Sequence, residues 1–224
     1  MCIRDSYMLG QLVENAGTLV FRCLRGQSQI FVNVRPENVI RSPALGPFRN
    51  GIDKTMKPLL SHDQISSRIK EMGVEITKDM EGLEPHVIAV LKGACPFMTD
   101  LCQWINLPLS MDYIAVSSYG AATKSSGEVK LSKDLDTSIK DRDLIIAEDI
   151  VDTGLTLNYL VNLLKARGPR SIRIASLLSK PSRRLIEVKV DYVGFTIDDL
   201  FVVGYGLDYN ERYRNLRDIV VFEG

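Results

Sequence analysis

The segment spanning residues 144–156 constrains this chain most. It opens with an apolar run that ends at Ala147, which is the pattern of a strand buried on both faces. Acidic residues and a Thr-Gly-x-Thr sequence follow, and after them comes a helical pattern whose apolar face carries Leu157, Leu160, Val161 and Leu164. A strand, a polar loop and a helix in this order form the layout of a phosphate site in an open α/β sheet.

Each residue type in the loop suits a phosphate group. Gly154 tolerates a positive φ, so that successive backbone N–H groups can converge on an anion. Thr153 and Thr156 add hydroxyl donors, and Leu155 offers its backbone N–H. The alternative is an ordinary strand-to-helix turn in which one Asp or Thr caps the helix. A cap needs only one polar residue, so the polar richness of this loop favours the phosphate site.

Three acids precede the hydroxyl groups. Glu148 and Asp149 only accept hydrogen bonds when ionised, so they suit sugar hydroxyls or the water around Mg²⁺ better than a phosphate. Asp152 lies closer to the helix and is a candidate to exchange a proton with a reacting group.

This segment resembles the PRPP-binding motif of the type I phosphoribosyltransferases, an apolar run followed by Glu-Asp-x-x-Asp-Thr-Gly-x-Thr. Four further motifs occur in the order found in hypoxanthine-guanine phosphoribosyltransferases. They are Leu-Lys-Gly at 91–93, Ser-Ser-Tyr-Gly at 117–120, Lys-Pro-Ser-Arg-Arg at 180–184 and Phe-Val-Val-Gly-Tyr-Gly-Leu-Asp-Tyr at 201–209. The resemblance covers roughly residues 56–224, and five motifs in one order argue against a chance match.

The resemblance implies a purine-salvage transferase. Such an enzyme moves the 5-phosphoribosyl group from PRPP to N9 of a 6-oxopurine, requires Mg²⁺ and releases pyrophosphate. The base would be hypoxanthine or guanine, giving IMP or GMP, with xanthine left open. The resemblance also implies a homodimer or homotetramer in the cytoplasm.

The resemblance further assigns roles to residues. The residues that would bind the PRPP ribose and 5′-phosphate are Glu148, Asp149, Asp152, Thr153, Gly154, Leu155 and Thr156. Binding of pyrophosphate falls to Lys92, Gly93 and Arg214, with a cis peptide between Leu91 and Lys92. The purine site comprises Lys180, Phe201, Val202 and Asp208, and the Mg²⁺ site comprises Glu148, Asp149 and Asp208. Asp152 would exchange a proton with N7 of the base, Lys180 would contact its six-position oxygen, and a lid would begin at Ser118 and Tyr119.

Taken alone, several of these residues leave a plainer interpretation open. Lys92 and Gly93 also fit an ordinary strand-to-helix turn, and Lys180 fits a surface charge. Phe201 fits a core aromatic, and residues 119–130 fit a surface hairpin without a catalytic role.

Composition excludes some other classes. The chain has 28 basic and 28 acidic residues, so no basic footprint for nucleic acid is expected. No apolar run reaches the roughly 18 residues of a membrane span. The four cysteines lack metal-site spacing.

Two competing functions are a PRPP-binding regulatory protein of the same fold without purine turnover, and a nucleotide-binding module. A regulator that binds RNA would be expected to show a basic face, which the balanced charge does not favour.

The sequence predicts one α/β domain after an atypical beginning. The sequence predicts that residues 1–55 are an extension outside the catalytic fold, with a weak helix over 10–21 and a strand over 28–34. Residues 56–224 read as a mostly parallel twisted sheet with helices on both faces, and a small hood formed mainly by 180–222. Ser61 and Gln64 form a capping box that starts the first helix of this domain.

Overall fold

The structure is a computed structural model, and it describes residues 10–15, 18–23, 56–118 and 129–223. The chain divides into two compact units, Met1–Ile52 and Asp53–Gly224. In the first unit, strands β1 (Gly10–Asn15) and β2 (Thr18–Cys23) form an antiparallel pair. The weak helix predicted over 10–21 is therefore wrong, because two strands separated by two residues pair as a hairpin. The strand predicted over 28–34 lies outside the described residues.

A six-stranded sheet forms the centre of the second unit. Its strands are β4 (His86–Leu91), β5 (Ser110–Ser118), β6 (Val129–Lys133), β7 (Asp143–Val151), β8 (Ser171–Ser179) and β9 (Tyr192–Thr196). The strand order is β6-β5-β4-β7-β8-β9, and every pair except β5 with β6 is parallel. The mostly parallel sheet predicted from the apolar runs is confirmed.

Helices cover both faces of this sheet, as predicted. Helices α1 (His62–Asp79) and α2 (Cys95–Trp104) share one core with Val87 and Ala89 of β4. Helix α3 (Leu155–Lys165) shares the other core with Ile88 and Val90 of the same strand. Alternate residues of β4 therefore point to opposite cores, which explains its unbroken apolar sequence.

The first turn of α1 shows the predicted capping box. The Ser61 hydroxyl accepts from the Gln64 backbone N–H, and the Gln64 side chain accepts from the Ser61 N–H at 2.9 Å. The Trp104 side chain of α2 is exposed, and the Lys70 ammonium lies 4.8 Å from the centre of its ring. The α2 residues that fill the core are Phe97, Met98 and Leu101.

A second sheet of three strands forms the hood. It contains β3 (Met56–Leu60), β10 (Val202–Val203) and β11 (Ile219–Phe222), in the order β10-β11-β3 and antiparallel throughout. Residues 180–222 contribute to both sheets, since β9 pairs with β8 of the central sheet. Strand β3, which precedes α1 in sequence, was not predicted.

Helices α1, α2 and α3 are each too short or too polar to cross a membrane, as far as the structure describes the chain.

Candidate active site

Three neighbouring parallel strands, β4, β7 and β8, end at one edge of the central sheet. The residues that follow them are Lys92, Asp152 and Lys180. Ligands of open α/β sheets bind beyond the carboxyl ends of the strands. The topology therefore gathers three of the predicted site segments, which are far apart in sequence, at the edge where a ligand would bind.

Gly154 shapes the loop that the sequence predicts to bind phosphate. This residue is the N-cap of α3 with φ +82°, and a Cβ there would overlap the Ile186 carbonyl oxygen. The Thr153 carbonyl accepts a hydrogen bond from the Ile186 N–H at 3.1 Å, which holds the loop against the following segment. Leu155 and Thr156 form the first turn of α3, and Leu155 is exposed. The helix N-terminus thus carries backbone donors suited to an anion.

The acidic pair lies in a strongly desolvated position. Burial, and then the Asp149 charge, raise the pKa of Glu148 well above its usual value. Burial also raises the pKa of Asp149, partly offset by a hydrogen bond from the Ile150 N–H at 2.8 Å. Gly93 packs directly on the Asp149 carboxylate, where a Cβ would overlap Oδ2. The backbone after β4 can approach the acids only because residue 93 lacks a side chain.

Charged residues from the hood meet the loop after β4. Arg214 Nη2 lies 2.8 Å from Asp208 Oδ1 and 3.3 Å from Glu211 Oε1. Lys92 Nζ lies 2.7 Å from Glu211 Oε2. The structure therefore brings together the two predicted pyrophosphate cations. Glu211 was not predicted as part of the site, and no local sequence pattern distinguishes it from a surface acid.

The hood loop is packed closely on the loop after β4. Gly206 has φ +100°, and a Cβ there would overlap the Gly93 carbonyl oxygen. The Tyr205 hydroxyl donates to the Asp100 carboxylate of α2, and burial together with this bond raises the Tyr205 pKa. The peptide between Leu91 and Lys92 is cis, as the family resemblance implied.

The proposed purine side contains one buried cation and one exposed ring. Lys180 is only 6% exposed, so the surface-charge interpretation is wrong. Its Nζ lies 4.0 Å from Asp199 Oδ1. Phe201 is 52% exposed, which excludes a core role, and Tyr209 contacts the ring edge-on at a centroid distance of 5.9 Å. Val202 is buried in β10.

Asp152 belongs to a chain of alternating charges. Arg183 Nε donates to Asp152 Oδ1 at 3.1 Å, and Arg183 Nη1 lies 3.3 Å from Asp199 Oδ2. Arg184 Nη1 donates to the Asp152 carbonyl at 2.9 Å and fixes the turn. Neither Arg183 nor Asp199 was predicted as a site residue. The only signal was the pair of arginines soon after Lys180.

The predicted lid is described only at its base. Ser118 ends β5 and pairs with Val129 of β6, so β6 runs back along β5. Tyr119 and the residues up to 128 lie outside the described part of the chain.

The acids fit a hard cation whose coordination is completed by ligand oxygens. No three His, Cys, Asp or Glu side chains enclose a metal among the described residues. Glu148 Oε2 is nevertheless buried without a hydrogen-bond partner there, and Asp208 raises the Asp149 pKa through its charge. Mg²⁺ usually keeps several waters and takes one or two carboxylates plus substrate phosphates. The site therefore suits Mg²⁺ that arrives together with a phosphorylated ligand.

The phosphoribosyl transferase domain model matches residues 56–210, which include the loops at the carboxyl edge of the sheet and most of the hood. The chain therefore belongs to the phosphoribosyl transferase family.

Its relatives narrow this assignment. The chain is 54% identical over 167 residues to the hypoxanthine-guanine phosphoribosyltransferase of Bacillus subtilis, covering 75% of this chain and 93% of the relative. The corresponding Lactococcus lactis enzyme is 51% identical over 170 residues, covering 75% and 92%. A crystal structure of a Staphylococcus aureus hypoxanthine phosphoribosyltransferase superimposes with a TM-score of 0.72 at 45% identity, covering 75% and 91%. The family and the fold class expected from the motifs are confirmed.

Proposed function

We propose that this chain is a purine-salvage transferase that moves the 5-phosphoribosyl group from PRPP to N9 of hypoxanthine or guanine. The products are IMP or GMP and pyrophosphate, and xanthine is a further candidate base. The observation that carries the proposal is the pairing of a family phosphate loop with a buried lysine beside it. Lys180 follows β8, the neighbour of the strand that leads into the loop.

Hydrogen-bond donors and the face of an aromatic ring would select the purine base. An ammonium carries three donors and no acceptor, so Lys180 suits the six-position oxygen of a 6-oxopurine. Asp199 precedes Phe201 by two residues and lies 4.0 Å from the Lys180 ammonium, which brings the lysine and the exposed ring into one region. Phe201 would stack on the purine, and Val202 would offer backbone groups to the base edge.

The PRPP loop and the acids bind the sugar phosphate. The α3 N-terminus and the hydroxyls of Thr153 and Thr156 would receive the 5′-phosphate. Glu148 and Asp149 would accept hydrogen bonds from the ribose hydroxyls. Glu148, Asp149 and Asp208 would hold Mg²⁺, which when bound would neutralise pyrophosphate charge.

The protein needs to contribute little covalent chemistry to the transfer at the ribose. The N9–C1′ bond forms, the bond from C1′ to the pyrophosphate oxygen breaks, and the N7 proton passes to Asp152. Arg183 holds Oδ1 of that carboxylate, and among the described residues Oδ2 has no hydrogen-bond partner, so it is available for the proton. Lys92 and Arg214 would neutralise the departing pyrophosphate.

Closure and assembly complete the proposal. Ser118 and Tyr119 would begin a lid that excludes water during the reaction. We expect a homodimer or homotetramer in the cytoplasm, as in the family that the motifs resemble. The second candidate, a PRPP-binding regulator without turnover, has no need of the buried Lys180 ammonium or of the exposed Phe201 ring.

Lys180→Met tests the proposal, with Lys189→Met as the matched control. Lys189 lies in the same connecting segment, but its side chain is 88% exposed. Loss of a charged hydrogen bond of about 1.5–3 kcal/mol predicts a fall of roughly 10- to 150-fold in kcat/KM for hypoxanthine. The control should stay within two-fold, and adenine should not become a substrate. Equal activity of Lys180→Met and Lys189→Met would show that Lys180 does not recognise the base.

A further inference from the structure

One carboxylate bridges the two cations that would bind pyrophosphate. Glu211 presents Oε2 to Lys92 Nζ at 2.7 Å and Oε1 to Arg214 Nη2 at 3.3 Å. Each cation therefore contacts a separate oxygen of one anionic group. Phosphate groups offer cations the same arrangement, with several oxygens on one charged centre.

A tight turn holds Glu211 in this position. The backbone N–H and carbonyl groups of Tyr209 and Arg212 exchange hydrogen bonds of 3.1 and 3.0 Å. Glu211 itself has φ +62°, which residues other than glycine seldom adopt. Its N–H donates to Asp208 Oδ2 at 2.9 Å. The turn thus points Glu211 at Lys92, which is 119 positions away in sequence.

The ion pair between Lys92 and Glu211 adds little to the stability of the fold. The Lys92 and Glu211 side chains are 66% and 64% exposed, and exposed ion pairs contribute little to folding. Strained backbone conformations cluster at ligand clamps and switch regions. The contact joins the loop after β4 to the hood, the two parts that would hold the pyrophosphate end of PRPP.

We propose that Glu211 is a positioning residue that occupies the place of the pyrophosphate group when the site holds no ligand. It keeps Lys92 and Arg214 oriented toward one point, and it is displaced when PRPP or pyrophosphate binds. This inference rests on the proposed function, in which those two cations bind pyrophosphate. Since a ligand must compete with Glu211, the residue weakens diphosphate binding and speeds release of the product.

Glu211→Gln tests the inference, because it removes the charge and keeps the shape. Calorimetry with Mg²⁺ and inorganic pyrophosphate should give a Kd lower by about 2- to 30-fold, the factor for two ion pairs that water reaches. The KM for PRPP should fall by a similar factor, and inhibition by pyrophosphate should strengthen. The matched control is Glu187→Gln, an exposed glutamate outside these contacts, and its constants should not change.

Lys92→Ala separates failure of the inference from failure of the proposed function. If Lys92→Ala weakens pyrophosphate binding but Glu211→Gln leaves it unchanged or weaker, the placeholder role is wrong and the pyrophosphate site remains. If Lys92→Ala has no effect on pyrophosphate binding, the proposed pyrophosphate site itself is wrong.

Discussion

Gly93→Ala should damage the site through a single methyl group. The Gly93 Cα lies against the Asp149 carboxylate, and an added Cβ would overlap Oδ2 of that group. Relief requires a shift of about 1 Å or more in the carboxylate or in the loop. The carboxylate is not free to rotate away, because Oδ1 accepts the Ile150 N–H at 2.8 Å.

Two magnitudes follow from this overlap. Overpacking of a close-packed position costs about 1–3 kcal/mol. At roughly 2–4 °C per kcal/mol for a domain of this size, Tm should fall by about 2–12 °C. A misplacement of about 1 Å in a catalytic site can lower the rate by about 10²-fold. We therefore expect kcat/KM for PRPP to fall by about 10²-fold, well beyond what the loss of stability explains at 25 °C.

Gly82→Ala is the matched control. Gly82 has φ +78° and no atom within 4 Å of an added Cβ, so alanine there strains the backbone without a clash. Gly93, by contrast, does not have a positive φ. The control should lower Tm modestly and leave kcat/KM unchanged. Steady-state kinetics and thermal melts on both variants decide the matter. Loss of activity in Gly93→Ala no greater than in the control would refute the reasoning.

Four further outcomes are expected. Asp152→Asn should lower kcat by about 10²–10⁴-fold and change PRPP affinity much less; a kcat within a few-fold of the unmodified protein would reduce Asp152 to a loop residue. Burial lowers the pKa of His86, so the unfolded chain binds its proton first, and stability should decline as pH falls below about 6.5. Urea unfolding of His86→Gln should show a flatter decline. A protein that begins at Met56 should keep full turnover and a similar Tm, whereas ten-fold lower activity would assign residues 1–55 to the catalytic fold. PRPP should slow protease cleavage within 119–130, and equal cleavage with and without PRPP would contradict a lid.

The centre of the main sheet could be predicted from sequence because β4, β7 and much of β8 are buried on both faces. Unbroken apolar runs such as the one at Val87 have few alternative explanations when Gly or polar loops bound them. Strand β3 lacks that signal. It contains Pro58 and exposed Lys57, and its partner β11 lies about 160 residues further along the chain. Pairing over such a distance leaves no local pattern.

The residues of the candidate site likewise include some that a local sequence pattern predicts and some that it does not. The strand, loop and helix around Gly154 could be predicted because their residue types stand at a fixed spacing, and Gly154 has the positive φ that such a turn requires. The positions of Arg183, Asp199 and Glu211 could not be predicted, since folding alone brings each of them to its charged partners. Their partners include Asp152, which is 31 positions from Arg183. A charged side chain on its own is most often a solvated surface residue.

Base selectivity tests the account most directly. Pyrophosphate release should be measured with PRPP, Mg²⁺ and either hypoxanthine or adenine, and kcat/KM compared for the unmodified protein. Adenine places an amino group opposite the Lys180 ammonium, so two donors meet and the buried charge stays unpaired. Sites that depend on hydrogen bonding reject such mismatches by about 10⁴–10⁵-fold. A preference of that order for hypoxanthine is the expected result. Comparable values for the two bases would show that Lys180 does not read the purine and would overturn the proposed function.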